Sequence, residues 1–212
     1  MDTNSVLLSY GLDPSLIKPS QVKLATRQDL SIFSDSKLQS WLKSPDNDLL
    51  MVYRIESEFE EAAGFALRNL HSGPRKGHFF LERNSNLKPY FFNLHEALPE
   101  IWRTGRVCVV EGSKDALAVR QFGVPVIACL TAAPKLSQLQ VLSRYAGYCF
   151  WIQDNDAEEA RMVRVREQVC RACEQVGLRL HRYRIFAKDP AQQLLEDPKV
   201  LQRFAHFFHN SL

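Results

Sequence analysis

The sequence contains no apolar run long enough to cross a membrane, so it does not encode a helical membrane protein. Its start, Met1-Asp2-Thr3-Asn4, lacks the basic residues and apolar stretch of a secretory signal. Cysteine is sparse and odd in number, at five, which argues against a disulfide scaffold and for a reducing compartment, expected to be the cytoplasm. Cys108, Cys129 and Cys149 fall in predicted strands and read as small buried hydrophobes. Cys170 and Cys173 form a C-x-x-C, but they sit in a charged helical stretch and no second ligand pair follows. A four-ligand zinc ribbon is therefore excluded. So is an attached P-loop motor, because no Gly-x-x-x-x-Gly-Lys-Ser/Thr loop is present. Excess charge of one sign is also missing. The net charge is only +3, so any affinity for nucleic acid must come from a local patch. There are no internal repeats and no low-complexity segment.

What is present suits a globular protein. The 212 residues, 45% hydrophobic and 24% charged, suffice for one or two domains with a real core. Residues 1–48 carry turn and helix-start signals such as Asp13-Pro14, Lys18-Pro19 and Ser44-Pro45-Asp46, and read as a small helical segment. Residues 49–104 read as a strand-rich, mixed α+β subdomain. Its strands are Leu49 to Ile55, Ala63 to Leu70, Gly77 to Leu81 and Tyr90 to Phe92, closed by a helix from His95 to Arg103. Residues 105–198 alternate strand and helix, the pattern of an α/β unit with a parallel sheet. Its strands are Arg106 to Val110, Pro125 to Cys129, Tyr148 to Ile152 and Leu178 to Phe186. Residues 199–212 form an amphipathic C-terminal helix.

The chemistry concentrates where two apolar runs end. Val107-Cys108-Val109-Val110 stops at Glu111-Gly112, and Cys149-Phe150-Trp151-Ile152 stops at Gln153-Asp154-Asn155-Asp156. In open α/β sheets, ligands bind beyond the carboxyl ends of the strands. If these two strands are neighbours, Glu111, Asp154 and Asp156 gather at one edge. Asp154 and Asp156, at i and i+2 in extended chain, share a side. Three crowded carboxylates repel unless a cation neutralises them, and an all-oxygen set suits Mg²⁺ or Mn²⁺. The bland alternative is helix capping, which is a real competitor for Asp115 in the first turn of a helix and for Asp189 before Pro190. Gly112 would allow close approach of the backbone.

These motifs resemble the Toprim domain. Glu111-Gly112-Ser113-Lys114-Asp115-Ala116-Leu117 follows one apolar strand, Asp154-Asn155-Asp156 follows another, and Lys188-Asp189-Pro190 comes third, in the family's order. The pattern departs at Glu159, where primase-like members carry Gly. Gly64-Phe65-Ala66-Leu67-Arg68 and Tyr90 to Ala97 are similar to elements preceding Toprim in DnaG-type and phage primase cores. The resemblance thus spans about residues 49–197.

It implies a Rossmann-like Toprim sheet after a primase-like subdomain, and a primase-type nucleotidyltransferase making short RNA primers on single-stranded DNA from nucleoside triphosphates. Mg²⁺ or Mn²⁺ would be held by Glu111, Asp154, Asp156 and Asp189, with Asp115 and Gly112 bracing the site. Arg68, Arg75, Lys76, Arg83, Lys88 and Lys114 are the candidate nucleotide or nucleic-acid contacts, since basic side chains among aromatics hold single strands. Most of those aromatics read as core. Arg161, Arg164 and Arg166 line the same groove or a solvated helix face. The compact form suggests a phage or mobile-element replication protein. Template choice and helicase contact would then come from other chains or from the N-terminal fifty residues. Two further readings stand beside this one. A Toprim nuclease would use the same carboxylates to activate water, and a non-catalytic nucleic-acid-binding module would not need to keep them.

Overall fold

A computed structural model describes residues 2–33, 35–43, 49–57, 59, 61–70, 77–81, 89–155 and 159–211, with side chains described except at 77–81 and 159–161. In the first half, helix α1 (Thr3–Ser9) precedes strand β1 (Val22–Thr26), and the short helices α2 (Arg27–Leu30) and α3 (Ser36–Leu42) follow. The side chains of Asp2, Thr26 and Asp35 cap these three helices, each accepting a backbone N–H of the first turn. β1 corrects the expectation that residues 1–48 are helical throughout. Its pairing is non-local: Val22 lies opposite Tyr53 and Thr26 opposite Leu49, and that ladder overrides the local signals.

β1 joins β2 (Leu49–Glu56), β3 (Ala62–Asn69) and β4 (Gly77–Leu81) in one antiparallel sheet, in chain order. β2 is buried on both faces, and its alternation assigns each face to a different core. Leu50 and Val52 pack with Ala25, Leu30, Leu38, Trp41, Leu42 and Leu67 beneath α2 and α3. Met51 and Tyr53 belong to the cluster that also holds Cys108, Val110, Phe150 and Ile152. The two halves of the chain therefore share a core. Phe91 and Phe92, fully buried, tie them further: Phe91 bridges to Glu56 and Phe92 to Ala128. For these two aromatics the core reading holds.

The second half runs α4 (Leu94–Thr104), β5 (Arg106–Val110), α5 (Ser113–Arg120), β6 (Val126–Ala128), α6 (Leu136–Leu142), β7 (Tyr148–Ile152), α7 (Glu159–Gln175), β8 (Arg179–Tyr183), α8 (Pro190–Glu196) and α9 (Pro198–Asn210). Every strand pair in this sheet is parallel, in the order β6-β5-β7-β8. β5 and β7 carry near-continuous apolar runs because both faces of the sheet are covered. Val107, Val109, Cys149 and Trp151 pack with α4, α6 and α7. Cys108, Val110, Phe150 and Ile152 pack with α5, α8 and α9. The α/β expectation is met.

The strand order matters for function. From β5 the chain moves outward to β6, then returns across β5 to β7 and on to β8. The direction of winding reverses between β5 and β7, and this topological switch point is where open parallel sheets bind ligands. No helix among the described residues is long and apolar enough to cross a membrane.

Candidate active site at the strand switch point

Glu111 follows the last residue of β5, and Asp154 lies two residues beyond the end of β7. Val109 pairs with Trp151 in the parallel ladder, so both acidic residues emerge at the same sheet edge on adjacent strands. The juxtaposition expected from the sequence is therefore present for these two. Asp156 lies outside the described residues, as do Arg75, Lys76, Arg83 and Lys88. Among the described residues, no group of three His, Cys, Asp or Glu side chains is gathered as a metal cluster.

The turn after β5 is built around Gly112, in extended conformation, as the N-cap of α5. Its need for glycine is steric: a Cβ at this position would overlap Oδ2 of Asp115. Asp115 is almost fully buried in the first turn of α5 and accepts the backbone N–H of Ala191, in the first turn of α8, at 3.1 Å. Burial, reinforced by the nearby Asp189 charge, pushes the Asp115 carboxyl up to about 7, against an ordinary 3.8. Asp189 caps α8, accepting the Gln192 N–H at 2.8 Å. Capping is thus present at Asp189 whatever else that carboxylate does. Asp115 also caps α8, across the fold, and so locks the β5–α5 corner to it.

A cavity of about 400 Å³ opens between this corner and the first sheet, lined by Tyr53, Arg68, Glu111, Ser113, Lys114 and Asp115, among others. Arg68 comes from β3. Lys114 is steadied over the Tyr10 ring, its Nζ 5.3 Å from the centroid. Two hydroxyls at this cavity, Tyr53 Oη and Ser113 Oγ, are buried with no hydrogen-bond partner among the described residues. Such groups are costly and mark a place where a ligand or water completes the bonding. Leu130, also on the wall, has φ of 63°, and its N–H donates to the Glu111 carbonyl oxygen at 2.9 Å. A branched residue held in the left-handed region is strained, and strain of this kind clusters at functional sites.

Asp154 faces another cavity, of about 460 Å³, which includes Gln153, Asn155, Arg166, Arg182 and Arg184 on its walls. Its Oδ1 atom is shielded from solvent. Asn155 fixes this loop to the one after β8: its backbone N–H donates to the Lys188 carbonyl at 2.6 Å, and its side chain donates to the Phe186 carbonyl.

The structure thus brings Glu111, Gly112, Lys114, Asp115 and Arg68 around one cavity. Asp189 stands behind Asp115, and Asp154 stands at the neighbouring strand end. The donor set of Glu111, Asp154 and Asp189 fits a hard divalent cation, since it is all oxygen. The sequence reading missed Tyr53, Ser113, Arg182 and Arg184. Nothing local marks the first two. The two arginines, i and i+2 at the carboxyl end of a strand, carried a signal of the kind that flagged the acids. Of the C-x-x-C thiols, Cys173 is buried and hydrogen-bonded to Cys149, which holds its thiol below the usual range.

No protein-family model matches this chain, and no curated protein is similar to it. Solved structures with the same fold exist. The Aquifex aeolicus primase, comprising zinc-binding and RNA polymerase domains, matches with a TM-score of 0.70 and 19% identity, over 96% of this chain and 55% of that one. A DnaG primase catalytic domain bound to single-stranded DNA matches with a TM-score of 0.66 and 18% identity, over 94% of this chain and 69% of that one. The E. coli primase catalytic core matches with a TM-score of 0.66 and 18% identity, over 95% of this chain and 71% of that one. The chain therefore has the fold of primase catalytic cores from end to end, and spans about half of the Aquifex structure.

Proposed function

We propose that this chain is the catalytic core of a primase-type nucleotidyltransferase. It joins ribonucleotides into short RNA primers on single-stranded DNA, with residues 105–198 as the catalytic unit and 49–104 as the basic subdomain beside it. The single observation that carries this reading is the position of Glu111 and Asp154 at the switch point of a fold shared with primase catalytic cores. One of those cores binds single-stranded DNA, which supports the same partner here.

In this reading Glu111, Asp154 and Asp156, with Asp189, hold Mg²⁺ or Mn²⁺. The bound cation supplies Lewis-acid chemistry, activating a 3′-hydroxyl and offsetting charge on the phosphate being transferred. Glu111 either ligates the cation or, where it does not, acts as the general base that accepts the hydroxyl proton. Arg68 and Lys114, on the same cavity as Glu111, bind substrate phosphates. Asp115 does not touch substrate. It positions Glu111 by holding the corner that carries it. Arg75, Lys76, Arg83 and Lys88 track the template. Template choice and helicase contact come from a separate zinc-binding subunit or helicase, in the replication of a phage or mobile element.

The test is incubation with labelled ribonucleotides, single-stranded DNA and Mg²⁺ or Mn²⁺, resolved on a denaturing gel. Short templated RNA supports the proposal. Cleavage of the DNA without synthesis would replace it with a Toprim nuclease.

A further inference from the structure

The cavity facing Asp154 carries a feature that the catalytic reading does not use. Arg166 of α7 and Arg182 and Arg184, in and just after β8, converge on it from two elements. Among the described residues no carboxylate forms an ion pair with any of the three. Among the described residues Asp154 is the one acid lining the cavity, against three arginines. Arg166 is half-buried, and its Nε donates to Gln153 Oε1 at 3.0 Å, so one guanidinium is pre-oriented beside the strand end. The volume of about 460 Å³ is that of a pocket for one small ligand. Planar guanidiniums arranged around such a hollow match the oxygens of phosphate groups, which they can bind in pairs.

We infer that this cavity between β7, β8 and α7 is a phosphate-binding subsite for a nucleoside triphosphate. The choice of a nucleotide as ligand rests on the proposed function. The presence of an anion site rests on the arginines alone. A pocket favours a free nucleotide over a strand, because a strand needs a groove that runs on past a single site. The subsite lies on the Asp154 side of the strand ends, apart from the Arg68 and Lys114 cavity. Two phosphate-bearing groups could thus approach the strand ends from opposite sides.

The experiment is calorimetric titration of ATP into the whole chain in EDTA, which removes the metal route to binding. The Arg182→Ala/Arg184→Ala double variant is compared with Arg179→Ala. Arg179 is an exposed arginine at the opposite end of β8 that stacks on Tyr148, and it serves as a control for loss of an arginine from the same strand outside the cavity. Arg182 and Arg184 are exposed, so their removal leaves the core intact, and circular dichroism checks that both variants fold. The expected result is ATP binding by the parent chain, weakened about tenfold or more in the double variant and unchanged in Arg179→Ala. Equal affinity in parent and double variant, an equal loss in both variants, or no ATP binding by the parent would overturn the subsite. So would a double variant that loses affinity for a single-stranded oligonucleotide but not for ATP. Failure of the functional reading looks different: ATP binds as described, yet no template supports primer synthesis.

Discussion

Asp115 and Ala191 stand 76 positions apart in the chain, yet the Asp115 carboxylate accepts the Ala191 backbone N–H at 3.1 Å. This bond ties the turn that carries Glu111 to the helix that Asp189 caps. In the proposed reading, it holds the corner from which Glu111 projects. Replacing Asp115 by Ala leaves the α8 amide unsatisfied and opens a buried polar hole, at a cost of about 1–3 kcal/mol. Primer synthesis should fall roughly 10- to 100-fold, as for other groups that orient ligating residues, with nucleic-acid binding little changed. Thermal melts and activity on the same preparation check both statements.

The raised Asp115 carboxyl makes a prediction about pH. In the folded chain it holds its proton up to about pH 7, whereas an ordinary carboxyl releases it near 3.8. The folded state therefore binds the proton more tightly than the unfolded chain does. The resulting stabilisation is whole below about pH 4 and is lost as pH rises through 7. In chelator, the parent chain should lose stability from pH 5 to pH 8 relative to Asp115→Asn, which keeps the acceptor and cannot ionise. The difference between the two melting curves measures this one group. Parallel curves would show that Asp115 does not titrate in that window.

Gly112 has no left-handed backbone to excuse it, with φ of −103°, so a side chain there is barred only by Asp115. Gly112→Ala should displace the buried carboxylate and cost about 1–3 kcal/mol, the usual penalty of overpacking. Pairing it with Asp115→Ala should recover part of that loss, because the clashing oxygen is then gone. Additive losses in denaturant titrations would contradict the steric account.

Arg68 reaches the Glu111 cavity from the first sheet, and Arg68→Ala should weaken oligonucleotide or nucleotide binding while leaving the fold intact. If it neutralises one phosphate, the slope of log affinity against log salt should drop by about one. Fluorescence anisotropy at several salt concentrations gives that slope. An unchanged slope would mean that Arg68 makes no phosphate contact.

Much of this was legible in the sequence, for identifiable reasons. The limits of β5 and β7 were readable because each is an apolar run cut off sharply by polar residues, Glu111 in one case and Gln153 in the other. β8 stops at Tyr183, short of the expected Phe186, because the chain there turns to bring Phe186 to Lys188 against Asn155. β1 was hidden because its partner, β2, lies more than twenty residues on and nothing local announces the pairing. The switch point itself is a matter of strand order, which local patterns do not encode. Tyr53 is one more apolar-face residue of a buried strand until folding sets its hydroxyl beside Arg68 and Asp115. The left-handed backbone of Leu130 is likewise imposed by packing and by its bond to Glu111, since no leucine seeks that conformation.

The most direct test of the central claim compares the parent chain with Asp154→Asn and Glu111→Gln in Mg²⁺-dependent primer synthesis, with single-stranded DNA binding measured on the same samples. The account predicts that each substitution lowers synthesis at least ~100-fold while DNA affinity is kept. Synthesis at parental rates in either variant would contradict it, because the carboxylates at the ends of β5 and β7 would then not be the site of the chemistry.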